Sequence, residues 1–180
     1  KTQKSLAGFS LLLGLRPSKS PEKLNHHTIL FPTDYDAEFE AIFTQKKPVA
    51  SPTIYICAPS DPLMVKDAGH ESWFVLVNAP RHDESGQDGF DWRDENFKHQ
   101  YANSIIDQIE ARGIKIRERL DVLEIRTPFD LQESVMAPGG SIYGTSSNSA
   151  SAAFLRTKNR SPIKNLFCVG GSTHPGGGLP

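Results

Sequence analysis

The sequence lacks any hydrophobic run long enough to cross a membrane. Its longest, residues 6–15, is interrupted by Gly8, Ser10 and Gly14, whereas a spanning helix needs about 20 apolar residues. It also lacks an excess of charge: 20 Lys and Arg stand against 21 Asp and Glu, a net charge of −1. An electrostatic nucleic-acid binder carries a clear basic surplus, so that class is disfavoured. Cysteine is scarce. Cys57 and Cys168 are too few for a disulfide scaffold, and both sit in apolar runs, so reduced core thiols are expected rather than a bridge. His26, His27, His70, His82 and His99 show no H-x-x-x-H spacing, and no C-x-x-C is present, so no metal site is expected. There is no G-x-S-x-G elbow and no kinase signature. Gly171 and Gly176 have the spacing of a phosphate loop, but Gly177 and Gly178 occupy the positions of its Lys and Ser/Thr. No G-x-G-x-x-G follows a candidate strand.

What is present is a folding chain. Hydrophobic residues make up 37% and charged residues 23% of the 180, enough apolar material for a core. Residues 6–15 predict a buried strand, and 26–31 a second, closed by Pro32. Thr33, three residues before Asp36, suggests an N-cap for a short helix with Tyr35, Phe39 and Ile42 or Phe43 on one face. Residues 53–57 and 73–77 are β-branched and aromatic and predict two more strands. Residues 81–91 read as a polar surface loop. The strongest helix signal covers 93–112: Phe97, Tyr101, Ile105 and Ile109 recur at i, i+4, Asp94 and Glu95 suit its N-terminus, and Gly113 its C′ position. Ile114 and Ile116 alternate with charges, which suggests an exposed or edge strand. Residues 165–169 predict a final strand. The carboxylate pairs Asp34/Asp36 and Asp83/Glu84 lie in polar segments and read as solvated surface charge.

Five of the fourteen glycines fall in the last eleven residues. A hydrophobic strand running into such a loop brings backbone N–H groups close to a phosphate or a cofactor ring, because no Cβ intervenes. A merely tight turn is the competing reading, and His174 is balanced between ligand neighbour and ordinary loop residue. The apolar strands could line a cavity, but core is their default role.

The run 165–180 (NLFCVGGSTHPGGGLP) resembles the C-terminal flavin-contacting motif of bacterial-type carotenoid desaturases, the phytoene desaturase family of FAD-dependent oxidoreductases. Residues 141–148 (SIYGTSSN), with Phe154, Arg156, Asn159, Arg160 and Pro162, resemble the segment just upstream. Residues 25–31 with Asp34, Tyr35, Glu38 and Phe39, and the Ser60-Asp61-Pro62 triplet, resemble its middle. The resemblance implies an α+β or α/β flavoprotein. Residues 1–135 would be a partial sheet-based substrate domain, and 136–180 the C-terminal segment of a Rossmann-like FAD-binding domain. It implies dehydrogenation of a long acyclic polyene, with hydride passing from an allylic carbon to the flavin and a proton lost nearby. Gly170, Gly171, Ser172, Thr173, His174, Pro175, Gly176, Gly177 and Gly178 would border the FAD, with 143–148 in the same neighbourhood.

The resemblance also sets wider expectations. The dinucleotide fingerprint of the family lies upstream of what Lys1 begins, so the chain is expected to be a piece of a longer protein that holds FAD poorly by itself. The intact protein is expected in the cytoplasm, attached peripherally to a membrane from which it takes a carotenoid, with no nucleic-acid partner. Phytoene desaturation, carotenoid 3,4-desaturation, and oxidation or isomerisation by relatives share the tail pattern. A catalytically silent module for an apolar ligand is the alternative from a different class. The architecture expected is a mixed sheet under the 93–112 helix, with 165–169 in a different sheet.

Overall fold

The computed structural model describes residues 4–19, 24–65, 67–144, 156–174 and 176. Five strands form its sheet: β1 (Ala7–Leu15), β2 (His27–Leu30), β3 (Ile54–Cys57), β4 (Glu71–Ala79) and β5 (Leu120–Arg126), in the order β2-β3-β4-β1-β5. All four pairings are antiparallel, where a mixed sheet was expected. The helices are α1 (Asp36–Phe39), α2 (Glu95–Ala111) and α3 (Pro128–Val135).

Period-two alternation decides which residues enter the core. On β1, Phe9, Leu11, Leu13 and Leu15 point inward, with Trp73, Val75 and Val77 of β4 and Ile54 and Ile56 of β3 on the same side. Helix α2 lays Tyr101, Ala102, Ile105, Ile106 and Ile109 against this layer, as its periodicity predicts. Phe9 is the centre of the contact, with ring centroids 4.9 Å from Tyr101, edge-on, and 5.4 Å from Trp92. The other side of β1 carries Ser10, Leu12 and Gly14. The buried strand expected from residues 6–15 is therefore buried on one face only, and Leu12 is 39% exposed. A continuous apolar run hides such alternation from sequence reading.

Caps set the ends of the helices. Asp94 accepts from the backbone N–H of Asn96 (2.8 Å) and Phe97 (3.1 Å), and Gly113 closes α2 at φ +87°. At α1 the N-cap position is Tyr35, not Thr33, and Asp34 just before it accepts from Ala37 N–H at 3.1 Å. Asp34 thus ties the first turn and is not merely solvated charge. Thr127 and Asp130 form a reciprocal capping box at α3, one step after β5 ends. Three further expectations are corrected. Ile114 and Ile116 form no strand and are buried, because Glu110 accepts from the N–H of Ile116 (3.1 Å) and Arg117 (2.8 Å) and turns the chain inward. The loop 81–91 is polar at its tip, but Phe90 packs 5.0 Å from Trp92, which is itself anchored by its indole N–H on Pro80 O at 2.9 Å. Residues 165–169 are not a strand. Asn165 is left-handed (φ +67°), Phe167 makes only an isolated bridge to Arg160, and Val169 is 87% exposed. An apolar run becomes a strand only beside a partner to pair with.

Candidate functional site

The outer face of the sheet, opposite α2, brings together apolar residues from every strand. Cross-strand register places Leu12 beside Phe74, Gly14 beside Val122, Phe74 beside Cys57, and Ile29 beside Tyr55. Leu12, Ile29, Phe74 and Val122 are all exposed. A cleft of about 390 Å³ lies over this face, walled by Leu12, Phe74, Val122 and Met64, with Cys57, His70 and Glu71 at its margins. The apolar strands therefore do both jobs that were weighed: their inward residues make core, and their outward residues make a cavity wall.

The polar groups at the margin are mostly occupied. Glu71 is paired with the buried Arg119 and accepts from the Trp73 indole N–H at 3.0 Å, while Arg119 Nε donates to Arg16 O at 2.9 Å. Ser72 Oγ donates to Met64 O at 2.7 Å. Two are not: His70, with a buried Nδ1 that has no hydrogen-bond partner, and the exposed carboxylate of Asp121.

The glycine-rich segments meet beside the other end of β1. Ile142 N–H donates to Leu6 O (3.0 Å), Ser5 N–H to Gly144 O (3.0 Å), and Ser141 Oγ to Ser5 O (3.0 Å). Ile142 also lies 4.0 Å from where a Cβ of Gly8 would stand. Arg156 ties this segment to the tail loop, since its Nη1 donates to Tyr143 O (2.9 Å) and Gly171 O (3.1 Å). Gly144, at φ +68°, packs so closely that a Cβ there would come within 2.9 Å of Ser172. Thr173 is buried, and its hydroxyl and N–H both bond Gly170 O, at 2.8 and 3.0 Å. His174 is exposed and donates its backbone N–H to Thr157 O at 2.9 Å. Gly170 stands at φ +113° with nothing within 4 Å of its Cβ position. Of the expected flavin neighbours, Gly170, Gly171, Ser172, Thr173, His174 and Gly176 are thus placed in one loop against Tyr143 and Gly144. Pro175, Gly177, Gly178 and residues 145–148 lie outside the described residues.

Folding also assembles a group that linear spacing could not show. His26 immediately precedes β2 and His27 opens it, His27 faces Cys57 in the β2–β3 register, and ligand atoms of the three lie within 4.8 Å of one another. Thirty residues separate the histidines from the cysteine, so no motif marks them. Cys57 and Cys168 are both free, as expected, but half-buried and not core.

No protein-family model matches the chain. Among curated proteins it is 38% identical to the 1-hydroxycarotenoid 3,4-desaturase of Flavobacterium sp. (strain P99-3), covering all of this chain and 36% of that protein. It is 33% identical to the lycopene-forming phytoene desaturase of Paracoccus sp. (strain N81106 / MBIC 01143), over 98% of this chain and 34% of that protein. It is 30% identical to the carotenoid 3,4-desaturase of Haloarcula japonica, over 98% and 35%. The chain spans about a third of the length of these relatives.

Proposed function

The chain belongs to the carotenoid desaturase family, and on that premise we propose that it supplies the substrate face and one wall of the flavin site of an FAD-dependent desaturase acting on a long acyclic polyene, of the phytoene or carotenoid 3,4-desaturase type. The observation that carries the reading is the apolar outer face. Leu12, Phe74 and Val122 stay exposed over a mostly apolar cleft, and Ile29 extends the same exposed face beyond it, the chemistry a polyene requires and water disfavours.

Residues 1–135 are the substrate side and 136–180 the flavin side. The hydrogen bonds of Ile142 and Ser141 to Leu6 and Ser5 would hold the flavin side at one end of β1, while the cleft opens at the other. A flat ring suits the tail loop, where Gly170 presents bare backbone and open space. Bound there, FAD supplies the two-electron acceptor that loss of two hydrogens from a carbon–carbon bond requires. The role of Gly170, Gly171 and Ser172 is close backbone approach. Thr173 fixes the loop from beneath, and Arg156 locks it to Tyr143. Leu12 and Phe74 orient the chain of the substrate and keep water off it.

Among the described residues no helix is long and apolar enough to cross a membrane. Uptake of a bilayer-dissolved polyene through the exposed apolar cleft suits peripheral attachment with the cleft facing lipid.

The test uses the complete gene product that contains this chain, mixed with liposomes carrying phytoene or a hydroxylated acyclic carotenoid. A yellow protein that binds the liposomes and moves carotenoid absorbance to longer wavelength, as conjugation lengthens, supports the reading. A colourless protein that leaves both carotenoids unchanged overturns it.

A further inference from the structure

We propose that His26, His27 and Cys57 form a binding site for a thiophilic divalent cation of the zinc type, at the edge of the sheet beside the apolar cleft. His27 and Cys57 come from two paired strands and His26 from the residue just before β2, and backbone hydrogen bonds fix all three. Ala58 N–H donates to His26 O at 2.8 Å, and His27 stands opposite Cys57 in the ladder. The imidazole rings of His26 and His27 lie 4.4 Å apart, centroid to centroid.

The donor atoms are within 4.8 Å of one another. Tetrahedral coordination with metal–sulfur bonds of about 2.3 Å and metal–nitrogen bonds of about 2.0 Å needs them roughly 3.3–3.6 Å apart. Both histidines are exposed, and a rotation of the His26 side chain toward His27 and Cys57 can close that gap. The Tyr55 hydroxyl lies 2.8 Å from His27 Nδ1, and the Tyr55 ring stacks 5.9 Å from the imidazole. It holds the ring beside Cys57, the orienting role that partner groups play around metal-binding imidazoles. Two imidazoles and a thiol favour zinc-type cations over magnesium or calcium, which prefer oxygen. Binding replaces the thiol proton of Cys57 by the cation and releases that proton to solvent, leaving a fourth position for water. Cys57 also lines the cleft, so the ion would stand at its rim.

Titration of the purified protein with cobalt(II) tests the site, because a thiolate ligand gives a near-ultraviolet charge-transfer band and tetrahedral geometry gives strong visible bands. One equivalent should produce both, and zinc should displace it. Cys57→Ser should abolish the charge-transfer band, and His26→Ala or His27→Ala should weaken binding by more than about tenfold. Cys168→Ser should change nothing. The two histidines are exposed and the two cysteines half-buried, and unaltered far-ultraviolet circular dichroism will separate lost ligation from lost fold. A charge-transfer band that survives Cys57→Ser, or that disappears in Cys168→Ser, overturns the proposal, as does the absence of any band in the unaltered protein.

Discussion

Asn78 Nδ2 donates a 2.8 Å hydrogen bond to Glu38 Oε1, joining α1 to β4, and the Glu38 carboxylate sits with 0% exposure. Its other oxygen accepts from Thr53 N–H at 2.7 Å, just before β3. One buried carboxylate thereby pins a four-residue helix, too short to stand alone, to two strands. Glu38→Ala leaves both half-buried donors unpaired and should lower stability by about 1–3 kcal/mol. Glu38→Gln, which keeps one acceptor, should cost about half as much. Urea unfolding of the two variants checks the ratio.

The core contact of Phe9 with Tyr101 links the sheet to α2, and Trp92 packs on the same ring. Phe9→Ala should cost about 3–5 kcal/mol, because Trp92 and Tyr101 are held on other elements and cannot collapse into the space. Tyr101→Phe should cost only about 1 kcal/mol, the worth of its hydroxyl bond to Val49 O (2.9 Å). Thermal unfolding distinguishes the two.

On the outer face the sign differs. Leu12→Glu and Phe74→Glu place a charge on residues already exposed and should shift stability by less than about 1 kcal/mol. Carotenoid turnover by the complete protein should nevertheless fall by at least about tenfold, since a carboxylate in the cleft must lose water when the polyene binds. Retained turnover would remove this face from the reaction.

Gly144→Val tests the junction beneath the tail loop. The added Cβ meets Ser172 at 2.9 Å in a backbone region that favours glycine. The complete protein should lose flavin on gel filtration more readily than the unaltered one while its far-ultraviolet circular dichroism stays unchanged.

Acid stability depends on Glu110. The backbone N–H of Arg117 holds its carboxyl below the ordinary glutamate value of 4.5, with further help from the Ile116 N–H and the Arg117 charge. Because the folded pKa is depressed, this contribution is complete above the unfolded value and fades as pH falls through the folded one. Glu110→Gln should flatten the stability curve below about pH 4.5 by no more than about 1 kcal/mol, as the group is partly screened. Denaturant midpoints measured from pH 3 to pH 7 check it.

The sequence by itself determined β1, β2, β3, β4 and α2, because each carries a local signal: apolar, β-branched and aromatic runs in the strands, i, i+4 spacing and Asp94 in the helix. It also determined the family resemblance, since the 165–180 run is contiguous. Strand β5 was illegible because Glu124 and Arg126 alternate with Leu123 and Ile125 on an edge where one side is solvent, a pattern weak beside the Thr127-Pro128 break.

Only the tertiary structure decided which half of each apolar strand is core and which is cleft. That choice belongs to α2, which covers one face and leaves Leu12, Phe74 and Val122 on the other. Only it decided that residues 165–169 make no more than an isolated bridge, that Gly144 supports Ser172, and that His26, His27 and Cys57 share a corner. Local propensity acts over a turn or a strand, whereas register couples residues thirty or more positions apart through the hydrogen bonds between strands, and no linear spacing encodes that coupling.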